Sequence, residues 1–325
     1  MASEARNSLI FDSYYTPVGW TAYALTSMLH SVHVPIKRYN TTSFSLERLP
    51  SPSIAAVLRQ RGYHTAFMSA GDPHWASTVT FDAGAFELIK IGSQLAPDDP
   101  NSSWGVRDEY LFKAIREFTD NQGERPFFLF AWTDQTHHPY KLVDEKLNDE
   151  KSPLERYLNI LTEVDKYIGN LFKHLRESGL ADDTLVVVTG DHGEAFGKIH
   201  ANSGHGFSVY DEEVRVPLML WNPRIFSGKN RESKIGSHVN LVPTLLHLLG
   251  ESPPDAWHGH SLDSHAHPDR AYLFAAAWGQ YLLGIRDEEW KYINNARHGT
   301  EELYRIADDP LEQTNLASTY PERAL

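Results

Sequence analysis

Cysteine is absent from all 325 residues. Its absence excludes disulfides, thiolate metal ligands and a cysteine nucleophile together. Compartment stays open, because secreted proteins also lack cysteine. No apolar run approaches the length that spans a bilayer. The opening MASEARNSLIFDSYY has no apolar core of signal-peptide length. Positive charge is scarce as well, with 30 Lys and Arg against 43 Asp and Glu and a net charge of −13. That balance argues against a nucleic-acid partner or an anionic membrane surface, while leaving room for a local cationic pocket. Internal repeats and low-complexity segments are also missing. What remains is ordinary globular material, 41% hydrophobic and 22% charged. It is enough chain for one large α/β domain with a small appendage.

Helix and strand patterns alternate through the first 250 residues. SPSIAAVLRQRGYHTAFMSAG reads as a helix, a turn at Gly62 and a short strand. EYLFKAIREFTDNQGERPFFLFAWT repeats the scheme, with Leu111, Ile115 and Phe118 on its helix and a strand over Phe127–Trp132. In the third unit Leu158, Leu161, Val164, Ile168, Leu171 and Leu175 recur at helical spacing. Gly179 then closes the helix, and Leu185–Val188 forms a fully apolar strand. Such alternation predicts a largely parallel sheet sandwiched by helices, with chemistry just beyond the carboxyl ends of the strands. Beyond about residue 250 the texture changes. ESPPDAWHGHSLDSHAHPDR reads as a long loop, AYLFAAAW, QYLLGIRD and EWKYINN as three short antiparallel strands, and DDPLEQTNLAS as a turn and a helix start. The expected organisation is a catalytic α/β domain over 1–250 and a loop with a small antiparallel subdomain over 251–325.

Polar clusters fall where that architecture wants them. Asp191 and His192 leave the Leu185–Val188 strand together, between Gly190 and Gly193. Carboxylate plus imidazole suits a divalent ion such as Zn or Mn, and the glycines allow a tight turn. A capping Asp beside a surface His is the plainer reading. His137, in TDQTHHPY, follows the Phe127–Trp132 strand, which would put a second His cluster on the same sheet edge.

These residues resemble a family. TGDHGEAFG…GHGFSVYDEEVRVPLMLWNP is similar to the sulfatase-like branch of the alkaline phosphatase superfamily. That branch holds sulfatases, phosphonate and phosphodiester hydrolases, lipoteichoic acid synthases and phosphoethanolamine transferases. WGVRDEYLF…RPFFLFAWTDQTHHPY resembles the lipoteichoic acid synthase form of the middle segment. HVNLVPTLLHLLG, WHGHSL, GIRDEEWKYI and ELYRIADDPLEQTNLA resemble sulfatase segments that follow. The resemblance covers nearly the whole chain.

The resemblance implies a nucleophile at Thr21, in YYTPVGWTAYALTSMLHS, with Tyr23, Ala24 and Leu25 in place of Pro-Ser-Arg. Without cysteine, the formylglycine of sulfatases cannot form from it. A threonine hydroxyl needs a base or a metal to activate it, and a helix start with a divalent ion serves. Thr at a helix start also reads as an N-cap. The resemblance places Thr21, Asp191 and His192 around a divalent ion, whether Zn, Mn, Mg or Ca, and gives His137 and His205 the ester. His205 stands where sulfatases carry Lys and phosphoethanolamine transferases carry His, which favours phosphorus esters. His138 reads as structural, His200 as a solvated loop residue, Arg215 as an ion-pair partner and Lys291 as scaffold. The loop histidines His258, His260, His265 and His267 read as exposed.

One departure stands out. Relatives begin with an apolar strand ending in one or two metal-binding acids, and nothing of the kind precedes NSLIFDSYYTPVGW. Asp12 is the only acid between Glu4 and Thr21, and it is misplaced. The expectation is a sheet short of an inner strand, a metal site short of an acid and little or no turnover by the chain as written. Membrane association would then need an upstream segment. The implied function is metal-dependent hydrolysis of a small anionic ester, phosphorus favoured. The alternatives are head-group transfer and a catalytically dead binding protein.

Overall fold

The computed structural model describes residues 2–34, 51–72, 83–97, 104–142, 150–228, 231–264, 269–275 and 281–323. In chain order the elements are β1 (Ser8–Tyr15), α1 (Thr21–His30), α2 (Ile54–Gln60), β2 (His64–Ser69), β3 (Leu88–Ile91), α3 (Asp108–Asp120), β4 (Phe127–Trp132) and α4 (Pro153–Glu177). There follow β5 (Val186–Thr189), β6 (Ala195–Phe196), β7 (Ser203–Gly204), α5 (Asp211–Val214), β8 (Leu218–Trp221), β9 (Arg231–Ser237) and α6 (His238–Leu248). The last four strands are β10 (Ala271–Ala275), β11 (Leu282–Arg286), β12 (Trp290–Asn295) and β13 (Thr300–Arg305). They sort into two compact units, one of residues 1–7, 53–185 and 222–227, the other of the remainder.

The first unit carries a three-stranded sheet in the order β3-β2-β4, parallel throughout. Ser53 caps α2 by accepting the Ala56 N–H, and Ile54, Ala55, Val57 and Leu58 are buried. Gly62, at φ +86°, then reverses the chain into β2. A capping box between Ser152 and Glu155, with Pro153 at the first helical position, starts the 25-residue α4. Its buried stripe is Ile160, Ile168, Leu171, Phe172 and Leu175. Leu158 and Leu161, expected on that stripe, are exposed; the 3.6-residue period turns Leu158 about 80° off the face of Ile168, whereas Leu161 shares that face and is uncovered two turns nearer the helix start.

The second unit is built on a four-stranded sheet in the order β5-β8-β1-β9. β1 is an inner strand, antiparallel to β8 and parallel to β9. This sheet is therefore mixed, whereas β3-β2-β4 is parallel throughout, in keeping with the largely parallel pairing that the alternation predicted. β8 is the reversed strand, antiparallel to both β1 and β5. Among the described residues, β4 and β5 belong to different sheets. Each is the last strand of its own sheet among the described residues, and their apolar side chains are mostly half-buried.

A second sheet in this unit, β10-β11-β12-β13, is an antiparallel meander. It has four strands where three were expected; β13, TEELYR, is too polar to read as one. The segment after it forms turns in place of the expected helix start. Asp309 accepts the Gln313 and Thr314 N–H groups and Asn315 accepts that of Leu303. Among the described residues, no helix is long and apolar enough to cross a membrane.

Candidate active site

β5 ends at Thr189 and the chain turns through Gly190, Asp191, His192 and Gly193. Gly193 is needed for space. A Cβ there would fall within van der Waals contact of the Glu212 carbonyl oxygen, while the Gly193 N–H donates to the Glu213 oxygen at 2.8 Å. Gly190 is under no such pressure, since the nearest atom to a Cβ there lies at 3.4 Å.

Thr21 arrives from the other direction. β1 ends at Tyr15, Thr16 Oγ1 donates to the Val18 carbonyl at 2.9 Å, and α1 begins at Thr21. Trp20 occupies the N-cap position, so Thr21 is the first helical residue and its hydroxyl is not the cap. That hydroxyl is buried and lies 3.1 Å from His192 Nε2. His192 Nδ1 is 2.8 Å from the Gly193 carbonyl, which makes Nδ1 the donor and leaves the Nε2 lone pair facing Thr21. Asp191 Oδ2 is 3.4 Å from the same Nε2, and Asp191 Oδ1 accepts the His192 N–H at 2.9 Å. Burial works against charge on Asp191, but His192, the Thr21 hydroxyl and His205 outweigh it and hold the carboxyl below the usual range.

His205 completes the group. Its ring stacks on His192 with centroids 3.9 Å apart and planes 29° apart, and Trp20 flanks it at 6.2 Å. Its Nδ1 lies 2.8 Å from Glu194 Oε2. Burial disfavours the imidazolium, yet the hydrogen bond and charge of Glu194, with Asp191 and Glu213 nearby, raise its pKa above the ordinary value. A cationic imidazole beside a hydroxyl and a carboxylate–imidazole pair suits an anionic ester.

Three residues of this site, Glu194, Glu213 and His238, were not singled out in the sequence, although each lies in a segment with the family resemblance. Fully buried His238 sits at the start of α6 with Nε2 2.9 Å from the Asp191 carbonyl and Nδ1 3.3 Å from the Tyr14 hydroxyl. Burial depresses its pKa to about 4, so it is a neutral buttress. Only its place in HVNLVPTLLHLLG, a segment with a family resemblance, could have drawn attention to it.

The other candidates have surroundings of their own. His137 lies in the other unit after β4, its Nδ1 2.8 Å from the His138 carbonyl and its ring edge-on to Trp104 at 5.2 Å. His200 is not a solvated loop residue. It stacks on Tyr210 at 3.7 Å and reaches Glu212 and the Glu312 carbonyl, each at 3.0 Å, the second far away in sequence. Arg215 is an exposed partner of Asp211 at 3.9 Å and donates to the Asp12 carbonyl. The Asp12 carboxylate pairs with Arg231. Lys291, on β12, is fully buried between Asp211 at 2.8 Å and Glu312 at 2.6 Å, and its pKa is raised because these two carboxylates overcome burial. His258 is exposed and His260 half-buried, while His265 and His267 lie outside the described residues.

Two overlapping donor sets are available to a cation. One is Thr21 Oγ1, Asp191 and His192; the other is His192, Glu194 and His205, whose ligand atoms lie within 4.8 Å of one another. The first fits a divalent ion better. His192 Nε2 has its lone pair free of the Nδ1 hydrogen bond, and the Asp191 carboxyl is held ionised. In the second set Glu194 already accepts from His205.

A profile of the family described as Sulfatase matches residues 1–251. The chain belongs to the sulfatase family. An ulvan-active sulfatase of Formosa agariphila is 26% identical over 90% of this chain and 56% of its own length. The chain thus spans about half the length of the curated sulfatase it matches. Its fold is that of the alkaline phosphatase superfamily. The phosphonate monoester hydrolase of Agrobacterium radiobacter superposes with a TM-score of 0.77 at 18% identity, over 99% of this chain and 87% of that one. A lipoteichoic acid synthase of Listeria monocytogenes gives 0.70 at 20% identity, over 99% and 85%. Members of this sulfatase family use divalent metals, in keeping with the donors described above.

Proposed function

We propose that this sulfatase-family chain is a hydrolase of small anionic esters, phosphoric before sulfuric, with Thr21 as nucleophile and a divalent ion held by Thr21, Asp191 and His192. The observation that carries the reading is the 3.1 Å approach of the buried Thr21 hydroxyl to His192 Nε2, with Asp191 beside it. A bound divalent ion supplies Lewis acidity that lowers the hydroxyl pKa and offsets ester charge. Thr21 Oγ forms a bond to phosphorus as the bond to the leaving oxygen breaks, and its proton has the Asp191 carboxylate within reach. The His205 imidazolium, braced by Glu194, binds the ester oxygens electrostatically. Water then cleaves the Thr21 ester and restores the hydroxyl. The TDQTHHPY resemblance assigns His137 the leaving-group proton. The absence of cysteine and the Thr21–His205 pair support phosphorus.

Two other outcomes have specific support. Sulfate chemistry is favoured by the ulvan-active sulfatase relative, and transfer to an alcohol by the likeness to a lipoteichoic acid synthase. The test compares aryl phosphodiester, phosphomonoester and sulfate substrates with Mn or Zn present, then repeats the preferred one with an alcohol acceptor. Thr21→Ala should lose roughly 1,000-fold or more in kcat, and Thr21→Ser should retain turnover. A preference for aryl sulfate, or full activity in Thr21→Ala, overturns the proposal.

A further inference from the structure

Glu213 has no exposed surface, and among the described residues no Lys or Arg is a partner of its carboxylate. A buried carboxylate is expensive unless neighbouring donors satisfy it. Here they are neutral and local. Oε2 accepts the Phe207 N–H at 2.8 Å and the Ser208 N–H at 3.1 Å. Oε1 accepts the Ser208 hydroxyl at 2.7 Å and the Asn202 side-chain amide. All four donors belong to residues 202–208, the loop that carries His205.

The backbone around Glu213 reaches the other parts of the site. Its carbonyl accepts the Gly193 N–H at 2.8 Å, next to His192, and the Val214 carbonyl accepts the Thr16 N–H at 2.8 Å. A Cβ on Gly19 would lie only 3.0 Å from the Gly206 nitrogen, so the approach to Thr21 packs directly on the His205 loop. Three segments thus meet at one short helix. That helix is anchored in turn where Asp211 holds Lys291 and its N–H donates to Glu312 at 2.6 Å.

We propose that Glu213 is a positioning residue. Its side chain sets the loop carrying His205, and its carbonyl sets the turn carrying His192. The consequence for turnover rests on the ester-hydrolase reading; the geometry does not. Removing the side chain should free His205 from its stack on His192 while leaving the Gly193 bond, and with it the Asp191–His192 pair, in place. Glu213→Gln keeps the length and one acceptor oxygen. Its new N–H group can be received by Asn202 Oδ1, a buried acceptor that lacks a partner.

The test follows the His205 ring C–H resonance by NMR, assigned with a His205 variant, because a ring stacked at 3.9 Å imposes a ring-current shift. Mn affinity and, on an aryl phosphodiester, kcat and KM are measured beside it. Glu213→Ala should move the resonance toward that of an unstacked imidazole and lower kcat/KM by roughly 100-fold. Mn affinity should stay within about threefold, because the proposed ligands do not depend on this side chain. Glu213→Gln should restore the stack and most of the turnover. A folded Glu213→Ala with an unmoved resonance, or Glu213→Gln no better than Ala, overturns the proposal. If Glu213→Ala does not fold, Ser208→Ala decides. A partial shift supports positioning, and an unmoved resonance defeats it. If the unaltered protein hydrolyses no ester, the hydrolase reading fails, and the resonance alone decides the role of Glu213.

Discussion

Glu194 Oε2 lies 2.8 Å from His205 Nδ1, so one carboxylate both orients this imidazole and favours its charged form. Glu194→Gln keeps a hydrogen bond but removes the charge. Because the His205 pKa is raised with Glu194 present, removing the charge should bring it down, and the imidazolium should be lost earlier as pH rises. The alkaline limb of the kcat/KM profile should shift to lower pH, with about a tenfold loss near neutrality. An unmoved limb would separate Glu194 from the ester-binding charge.

Metal binding should depend on Asp191. Loss of an outer-shell partner typically costs a metal site roughly 10–100-fold in affinity, so loss of a direct ligand should cost at least that. Titration calorimetry with Mn should show weak or no binding to Asp191→Ala. His205→Ala discriminates between the donor sets. Affinity within about threefold of the unaltered protein supports Thr21, Asp191 and His192, whereas a collapse supports His192, Glu194 and His205.

Lys291 neutralises two carboxylates from inside the second unit, Asp211 and Glu312. Lys291→Met keeps much of the volume, takes from Glu312 its cation and leaves Asp211 only the exposed Arg215 at 3.9 Å. Breaking a buried ion pair from one side costs about 3–5 kcal/mol. Urea unfolding should register that loss, and a variant as stable as the unaltered protein would show the pair to be expendable.

His238 supplies a pH dependence of stability. Its folded pKa of about 4 lies below the ordinary 6.5, because burial penalises the charged ring. The unfolded chain therefore takes up the proton first as pH falls. The contribution is complete above pH 6.5 and is lost down to about pH 4. At one pKa unit per 1.36 kcal/mol, it amounts to about 3 kcal/mol. Urea melts at pH 7, 5.5 and 4.5 should show a shallower pH slope for His238→Asn than for the unaltered protein. Equal slopes would mean that another group carries the effect.

How much of this was legible in the sequence depended on distance along the chain. Thr21 was reached only through the family resemblance, since by local pattern it reads as an N-cap, whereas Asp191 and His192 could be read as candidates because they leave a strand end that local patterning marks. The Phe127–Trp132 strand was placed to the residue for the same reason. His200 was misread because its partners include the Glu312 carbonyl, 112 residues away, and no local pattern encodes such a contact. Glu194 went unnoticed because a lone acid in a loop looks solvated until the loop is seen to close on it, and Glu213 because the last acid of a DEE run reads as part of a solvated charged face. The reversed β8 escaped because LMLW is equally apolar in either direction. β13 escaped because its outward positions carry charge.

Gly193 gives the Asp-His-Gly signature a second meaning. Two of its letters are chemical and the third is volumetric, since any side chain there would collide with the Glu212 carbonyl. The glycine therefore reports only that Glu212 and Glu213 lie against the turn. A descendant that exchanged Asp191 and His192 for inert residues could keep the glycine indefinitely. A Gly193→Ala chain with perfect chemistry would have to rebuild the α5 approach first. Persistence of that glycine is thus a record of shape, and evidence for turnover has to come from the two letters before it.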